Sequence, residues 1–105
     1  MNLFLDDVRD PPRDGRDWHV ARSVDEARRY CDILGHGPAR ISFDHDLGVE
    51  QGEDGHEFAK WLVEQDLDRP GFIPWNFEYS VHSSNPSGSA NIDGLLKSYL
   101  NFRAA

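Results

Sequence analysis

Three short runs of the chain end in residues able to handle charge: "NLFLDD" at 2–7, "ISFDHDLG" at 41–48 and "YSVHSSNPSG" at 79–88. The first two supply Asp6, Asp7, Asp44 and Asp46. Carboxylates gathered in one crevice repel one another unless a proton or a cation intervenes. Magnesium or manganese, hard ions that take oxygen ligands, would neutralise them and keep waters for a phosphate-bearing ligand. The third run supplies His82, a general acid or base near neutrality, Ser83 and Ser84 as donors to phosphoryl oxygens, and Asn85 to fix a ligand or a water. His45, between Asp44 and Asp46, is the rival acid or base, although strand alternation puts it opposite both neighbours. Arg9 follows the first acidic pair. It either grips a phosphate with both arms of its fork or pairs with an aspartate and fixes the loop.

These groups are worth joining only if the fold brings them together. "NLFL" reads as a buried strand that stops at the turn-rich segment containing Pro11, Pro12, Asp14 and Gly15. "WHVARS" fits a second short strand. Ser23 followed by Glu26 is a capping box, and Ala27, Tyr30, Cys31 and Leu34 recur at helical spacing until Gly35 and Gly37 end the helix. "ARISF" is the third strand. A helix over 54–66 follows, with Phe58, Trp61, Leu62, Gln65 and Leu67 on its apolar side, and "FEYSVHS" alternates as a strand exposed on one face. The last helix is expected over 89–102, with Ile92, Leu95, Leu96, Tyr99 and Leu100 inward. Strand, strand, helix, strand, helix, strand, helix is an α/β order with crossover connections. Ligands bind such sheets at the carboxyl ends of the strands, and that is where all three runs end. Singly, each aspartate reads as a turn residue or a helix cap; jointly, Asp6, Asp7 and Asp44 point to an anion or metal site.

Composition narrows the classes. Nineteen Asp and Glu against eleven Lys and Arg give a formal net charge of -8, a mean field that repels a polyanion, so no long nucleic-acid duplex is expected as partner. A small anion or a strand terminus is still compatible, since a local arginine or a bound divalent ion reverses the potential over a few ångströms. The single Cys31 has no partner for an internal disulfide and reads as core. No apolar run approaches the roughly 18 residues of a membrane span, and the chain opens on "MNLFLDD" without a basic and apolar leader, so a cytoplasmic protein with no membrane partner is expected. No zinc-finger spacing and no glycine-rich nucleotide loop is present. At 105 residues the chain is expected to form one domain over 1–105.

The stretches "LFLDDVRDPP", "WHVARSVDEA", "ISFDHDLG", "DGHEFAKWL" and "VHSSNPSG", in this order and spacing, resemble the cyclic-phosphate processing receiver-like domain family, a divergent branch of the response-regulator receiver fold. The resemblance covers nearly the whole chain. It implies a compact receiver-like, flavodoxin-like layered domain with a short, mostly parallel sheet, truncated relative to an ordinary receiver. It also implies metal ligation by Asp6, Asp7 and Asp44, with Asp44 at the position that accepts a phosphoryl group in ordinary receivers. Ser83 or Ser84 falls near the hydroxyl that senses phosphate, and Arg9, His45, Asp46, His82, Ser83 and Asn85 match the family's additional polar pattern. The chain departs from ordinary receivers in having room for only about four strands and no clear first crossover helix. Lys97, in the last helix, does not take the place of the lysine on their fifth strand. The implied activity is a magnesium- or manganese-dependent phosphoesterase acting on a cyclic phosphate, in an RNA terminus or a small molecule. A non-catalytic cyclic-phosphate binding module and a receiver-like signalling domain are the alternatives, and the oligomeric state is left open.

Overall fold

Alternation in the first apolar run decides how the sheet is layered. In the computed structural model, which describes residues 1–44, 54–82 and 86–104, Leu3 and Leu5 of β1 (Asn2–Leu5) are fully buried on one face, while Asn2 and Phe4 turn to the other. The same split runs through β2 (Trp18–Ala21), β3 (Arg40–Phe43) and β4 (Glu78–Val81), which join β1 in one four-stranded sheet of order β2-β1-β3-β4 with every pair parallel. Parallel neighbours need long crossovers. Helix α1 (Val24–Leu34) carries the chain from β2 to β3 and α2 (Gly55–Asp68) lies between β3 and β4, with α3 (Pro86–Ala104) after β4. The expected α/β order is thus the observed one, a compact domain of truncated receiver type.

Local chemistry places the helix ends. The Ser23 hydroxyl accepts from the Glu26 amide at 3.1 Å, the Glu26 carboxylate reaches back to the Arg22 amide, and Gly35 closes α1 in the left-handed conformation with its amide on Cys31 O. Helix α3 begins at Pro86, three residues before the expected start, because a proline in the first turn forfeits no intrahelical bond. In α2 the apolar side differs from expectation at its end: Leu67 is 59% exposed and Asp66 is buried in its stead. Two amides, of Gly71 and Ile73, and two side chains, Tyr99 and Arg103, all donate to the Asp66 carboxylate, which offsets its burial.

All three helices pack on one face. Leu3, Leu5, Ile41 and Phe43 of the sheet form a single cluster with Val24, Ala27 and Cys31 of α1, Phe58 and Leu62 of α2, and Ile92 and Leu96 of α3, and α2 touches both other helices. Each large side chain fully buried there contributes about 1.5–3 kcal/mol. Burial pushes the Cys31 thiol up to about 12, with Asp32 adding to the shift, so the group is core and not a nucleophile. The second face carries no helix among the described residues. It holds the Arg40–Glu78 ion pair at 2.6 Å, Ser42, Ser80, and Phe4 beneath the rings of His82 and Trp18. No described helix is long and apolar enough to cross a membrane.

Candidate functional site

The sheet register builds the site. Leu5 stands opposite both Ala21 and Phe43, and Phe43 opposite Val81, so the next residue of each strand falls in one row: Arg22, Asp6, Asp44 and His82. The ladder runs one step beyond the strands to hold that row. Asp6 N donates to Ala21 O at 3.1 Å, Asp44 N to Leu5 O at 2.8 Å and His82 N to Phe43 O at 2.8 Å. The three strand ends expected to share a crevice therefore do so.

Asp6 is fully buried, and its oxygens have distinct partners. Oδ1 accepts from the amides of Val8 at 2.9 Å and Arg9 at 2.8 Å, which folds the loop after β1 back over the carboxylate; Oδ2 lies 2.9 Å from His82 Nε2 and 3.9 Å from Arg9 Nε. Burial alone would raise this carboxyl, but the Arg9 and Val8 amides and then His82 reverse the effect and hold it below the ordinary carboxylate range. Asp6 is an anion at neutral pH.

His82 reaches from β4 across β3. Its ring stacks on Phe4 with centroids 4.7 Å apart and planes at 5°, Nε2 meets Asp6, and Nδ1 lies 2.6 Å from Ser42 Oγ. Both ring nitrogens are thus engaged within the protein. Arg9 Nη1 donates to His82 O at 2.8 Å, so the arginine expected to clamp phosphate also ties the first loop to the end of β4. Its side chain is about half exposed at the rim of the crevice.

Asp44 is buried at the end of β3, where α2 begins. A Cβ at Gly55 would collide with the Asp44 carbonyl and stand 3.2 Å from Ile92 Cδ1, so only glycine lets the helix N-terminus come this close. That end of a helix favours negative charge beside it. One carboxylate oxygen from each of Asp6, Asp7 and Asp44 lies within 4.8 Å of the other two. An all-oxygen set with one oxygen of Asp6 already committed to two amides suits a hard divalent ion that retains several waters, and the trio fits magnesium or manganese in donor type. A second trio, Asp54, His56 and Glu57, lies at the start of α2, but there Asp54 serves as the cap and accepts from the Glu57 amide at 3.0 Å.

Of the other expected site residues, His45, Asp46, Ser83, Ser84 and Asn85 lie outside the described residues. Two residues gain a place that sequence reasoning gave them weakly or not at all. Arg22 sends Nη1 to Asp6 O at 3.3 Å and to Arg9 O, and Nη2 to Asp10 at 3.3 Å, stitching the acidic loop to the end of β2. Ser42 touches His82; its signal in the sequence was a hydroxyl inside the apolar strand "ISF", on the face opposite Ile41 and Phe43. Trp75 precedes β4 at the amino end of the sheet, far from the acidic row, 70% exposed with Arg103 over its ring.

The family model described as Cyclic-phosphate processing Receiver domain matches residues 1–98. The chain belongs to that family. No curated protein and no solved structure matches it. In this cyclic-phosphate processing receiver domain the acidic trio and His82 all fall within the matched span, and the four-stranded sheet is the scaffold that sets Asp6, Asp44 and His82 in a row.

Proposed function

We propose that this domain is a metal-dependent phosphoesterase that opens a cyclic phosphate at an RNA end or in a small cyclic nucleotide. One observation carries the reading: three carboxylates from two adjacent parallel strand ends converge within 4.8 Å in a member of a family named for cyclic-phosphate processing. Asp6, Asp7 and Asp44 would hold magnesium or manganese, which would supply positive charge against the phosphoryl oxygens. Arg9, Ser83, Ser84, Asn85 and Asp46 bind the substrate, and the arginine, serines and asparagine balance the remaining phosphoryl charge. Water adds to phosphorus, one ring P–O bond breaks, and the departing sugar oxygen takes a proton, leaving a phosphomonoester. His82 handles that proton by releasing one of its two protein partners, with His45 as the rival. Asp44 either holds the ion alone or also receives the phosphoryl group, and a trapped aspartyl phosphate separates the two routes.

The engagement of both His82 nitrogens favours a second reading, a module that binds the cyclic phosphate without turnover. One experiment tests both. The protein is incubated with magnesium or manganese and a panel of RNA 2',3'-cyclic phosphate ends and cyclic nucleotides, with Asp44→Asn alongside, and products are followed by mass spectrometry. Metal-dependent ring opening lost in Asp44→Asn supports the phosphoesterase. Retention of an unchanged ligand moves the reading to sequestration. Stable phosphorylation of Asp44 without ring opening moves it to signalling.

A further inference from the structure

Ser42 is 6% exposed in a central strand, where an unpaired hydroxyl would be costly. Its hydroxyl belongs to a file of hydrogen bonds along the second sheet face: Ser80 Oγ donates to Ser42 Oγ at 3.4 Å, Ser42 Oγ lies 2.6 Å from His82 Nδ1, and His82 Nε2 lies 2.9 Å from Asp6 Oδ2. The partners fix the direction of the file. An ionised carboxylate only accepts, so Nε2 carries the hydrogen that faces Asp6; in the neutral ring Nδ1 then accepts, and the Ser42 hydroxyl is its donor. Ser80, donating to Ser42 from the neighbouring strand, leaves the Ser42 proton pointing at the ring. Phe4 stacked beneath the imidazole removes its remaining freedom to tilt.

From this arrangement we propose that Ser42 is a positioning residue of the acidic centre: by donating to Nδ1 it holds the His82 ring in the orientation in which Nε2–H meets Asp6, and thereby steadies a carboxylate of the trio. The proposal rests on the reading of that trio as a cation site. Two amides hold Oδ1 of Asp6 and the His82 ring meets Oδ2, so the ring and the amides together fix the plane of the carboxylate. Residues that orient a ligating carboxylate from behind matter nearly as much as the ligand. Ser42 touches neither ion nor substrate in this scheme, and it acts through the ring.

Ser42→Thr and Ser42→Val are nearly isosteric, equally suited to a strand, and differ in the hydroxyl; Ser42→Ala completes the set. Two quantities are read on the full chain: the nitrogen-15 shifts of the His82 ring, at a pH where it is neutral, and the affinity for Mn2+ followed by paramagnetic resonance. The wild type and Ser42→Thr should show one Nε2–H ring and the same Mn2+ affinity. Ser42→Val and Ser42→Ala should move the Nδ1 resonance toward that of a ring nitrogen with no donor and bind Mn2+ about tenfold more weakly. Unchanged ring shifts in Ser42→Val, or a moved Nδ1 resonance with wild-type Mn2+ affinity, would overturn the proposal. Failure of the parent reading has a different signature: the wild type and Asp44→Asn would then bind Mn2+ equally poorly, and the positioning role would fall with the cation site.

Discussion

The carbonyl oxygen of Asp44 occupies the space that a side chain at Gly55 would need. The end of β3 and the start of α2 are therefore in direct contact, and the helix terminus is held against the backbone of the buried Asp44. Gly55→Ala must push the two apart, against Ile92 on the other side. We expect a loss of about 1–3 kcal/mol in unfolding free energy, as for other overpacked sites, together with weaker Mn2+ binding. Urea unfolding and a Mn2+ titration check this; a variant as stable as the wild type would show that the contact relaxes freely.

Arg22 bonds to two carbonyls and one carboxylate of the loop that follows β1. A guanidinium spans such a set because its donors are fixed in a planar fork, whereas an ammonium is a point charge. Both Arg22→Ala and Arg22→Lys should therefore weaken Mn2+ binding, with little recovery in the lysine variant. Hydrogen exchange should speed up at the amides of Val8 and Arg9 in both. Full recovery by lysine would mean that charge, not stitching, is what Arg22 supplies.

Asp6 is held below the ordinary carboxylate range, with burial opposed by the Arg9 and Val8 amides and by His82. A carboxyl depressed in the folded state adds stability that is present above its unfolded value, about pH 4, and is lost as the pH falls through the native value. Asp6→Asn removes that contribution. The gap in unfolding free energy between wild type and Asp6→Asn should be widest near neutrality and should close on acidification below about pH 4. A gap independent of pH would assign the loss to packing alone.

Tyr79 and Tyr99 make the opposite prediction at the alkaline end. Burial, followed by the hydrogen bonds to Asp93 and Asp66 respectively, pushes both phenols up to about 12. A raised native value means stability fully present below the unfolded value of about 10 and lost as the pH rises through about 12. The phenolate absorbance of the native protein should develop late, and unfolding should accompany it. Tyr79→Phe and Tyr99→Phe should each remove one late-titrating group.

Much of the scaffold was legible because its causes are local. Leu3 and Leu5 alternate with Phe4, Ser23 precedes Glu26 at capping distance, and Gly35 stands where a left-handed residue is required. The convergence of Asp6, Asp44 and His82 was legible one level up, from the α/β order and the rule that ligands gather at strand ends. What escaped depends on register and on partners far along the chain. The hydroxyl of Ser42 acquires meaning only when β4 lies beside β3 with Ser80 opposite it. Asp66 is buried instead of Leu67 because Tyr99 and Arg103, from a helix some thirty positions later, complete its carboxylate shell. The missing first crossover helix was visible in the sequence, but its result, a parallel sheet layered on one side, emerged only with the packing of all three helices together.

Among the described residues the sheet has no hairpin. Each of its pairings joins segments separated by a full crossover: Leu3 with His19, Leu3 with Ile41, and Ile41 with Tyr79. Chains of this kind pay loop-closure entropy before pairing rewards it, and they fold more slowly than their size suggests. The central strand is made first and is satisfied on both edges only after β3 has arrived. The acidic trio therefore has no fragmentary existence: a partly assembled chain holds Asp6 and Asp7 apart from Asp44, never the set. A cation that needs the set will bind the native protein alone, stabilising it by mass action while leaving the nucleation step untouched.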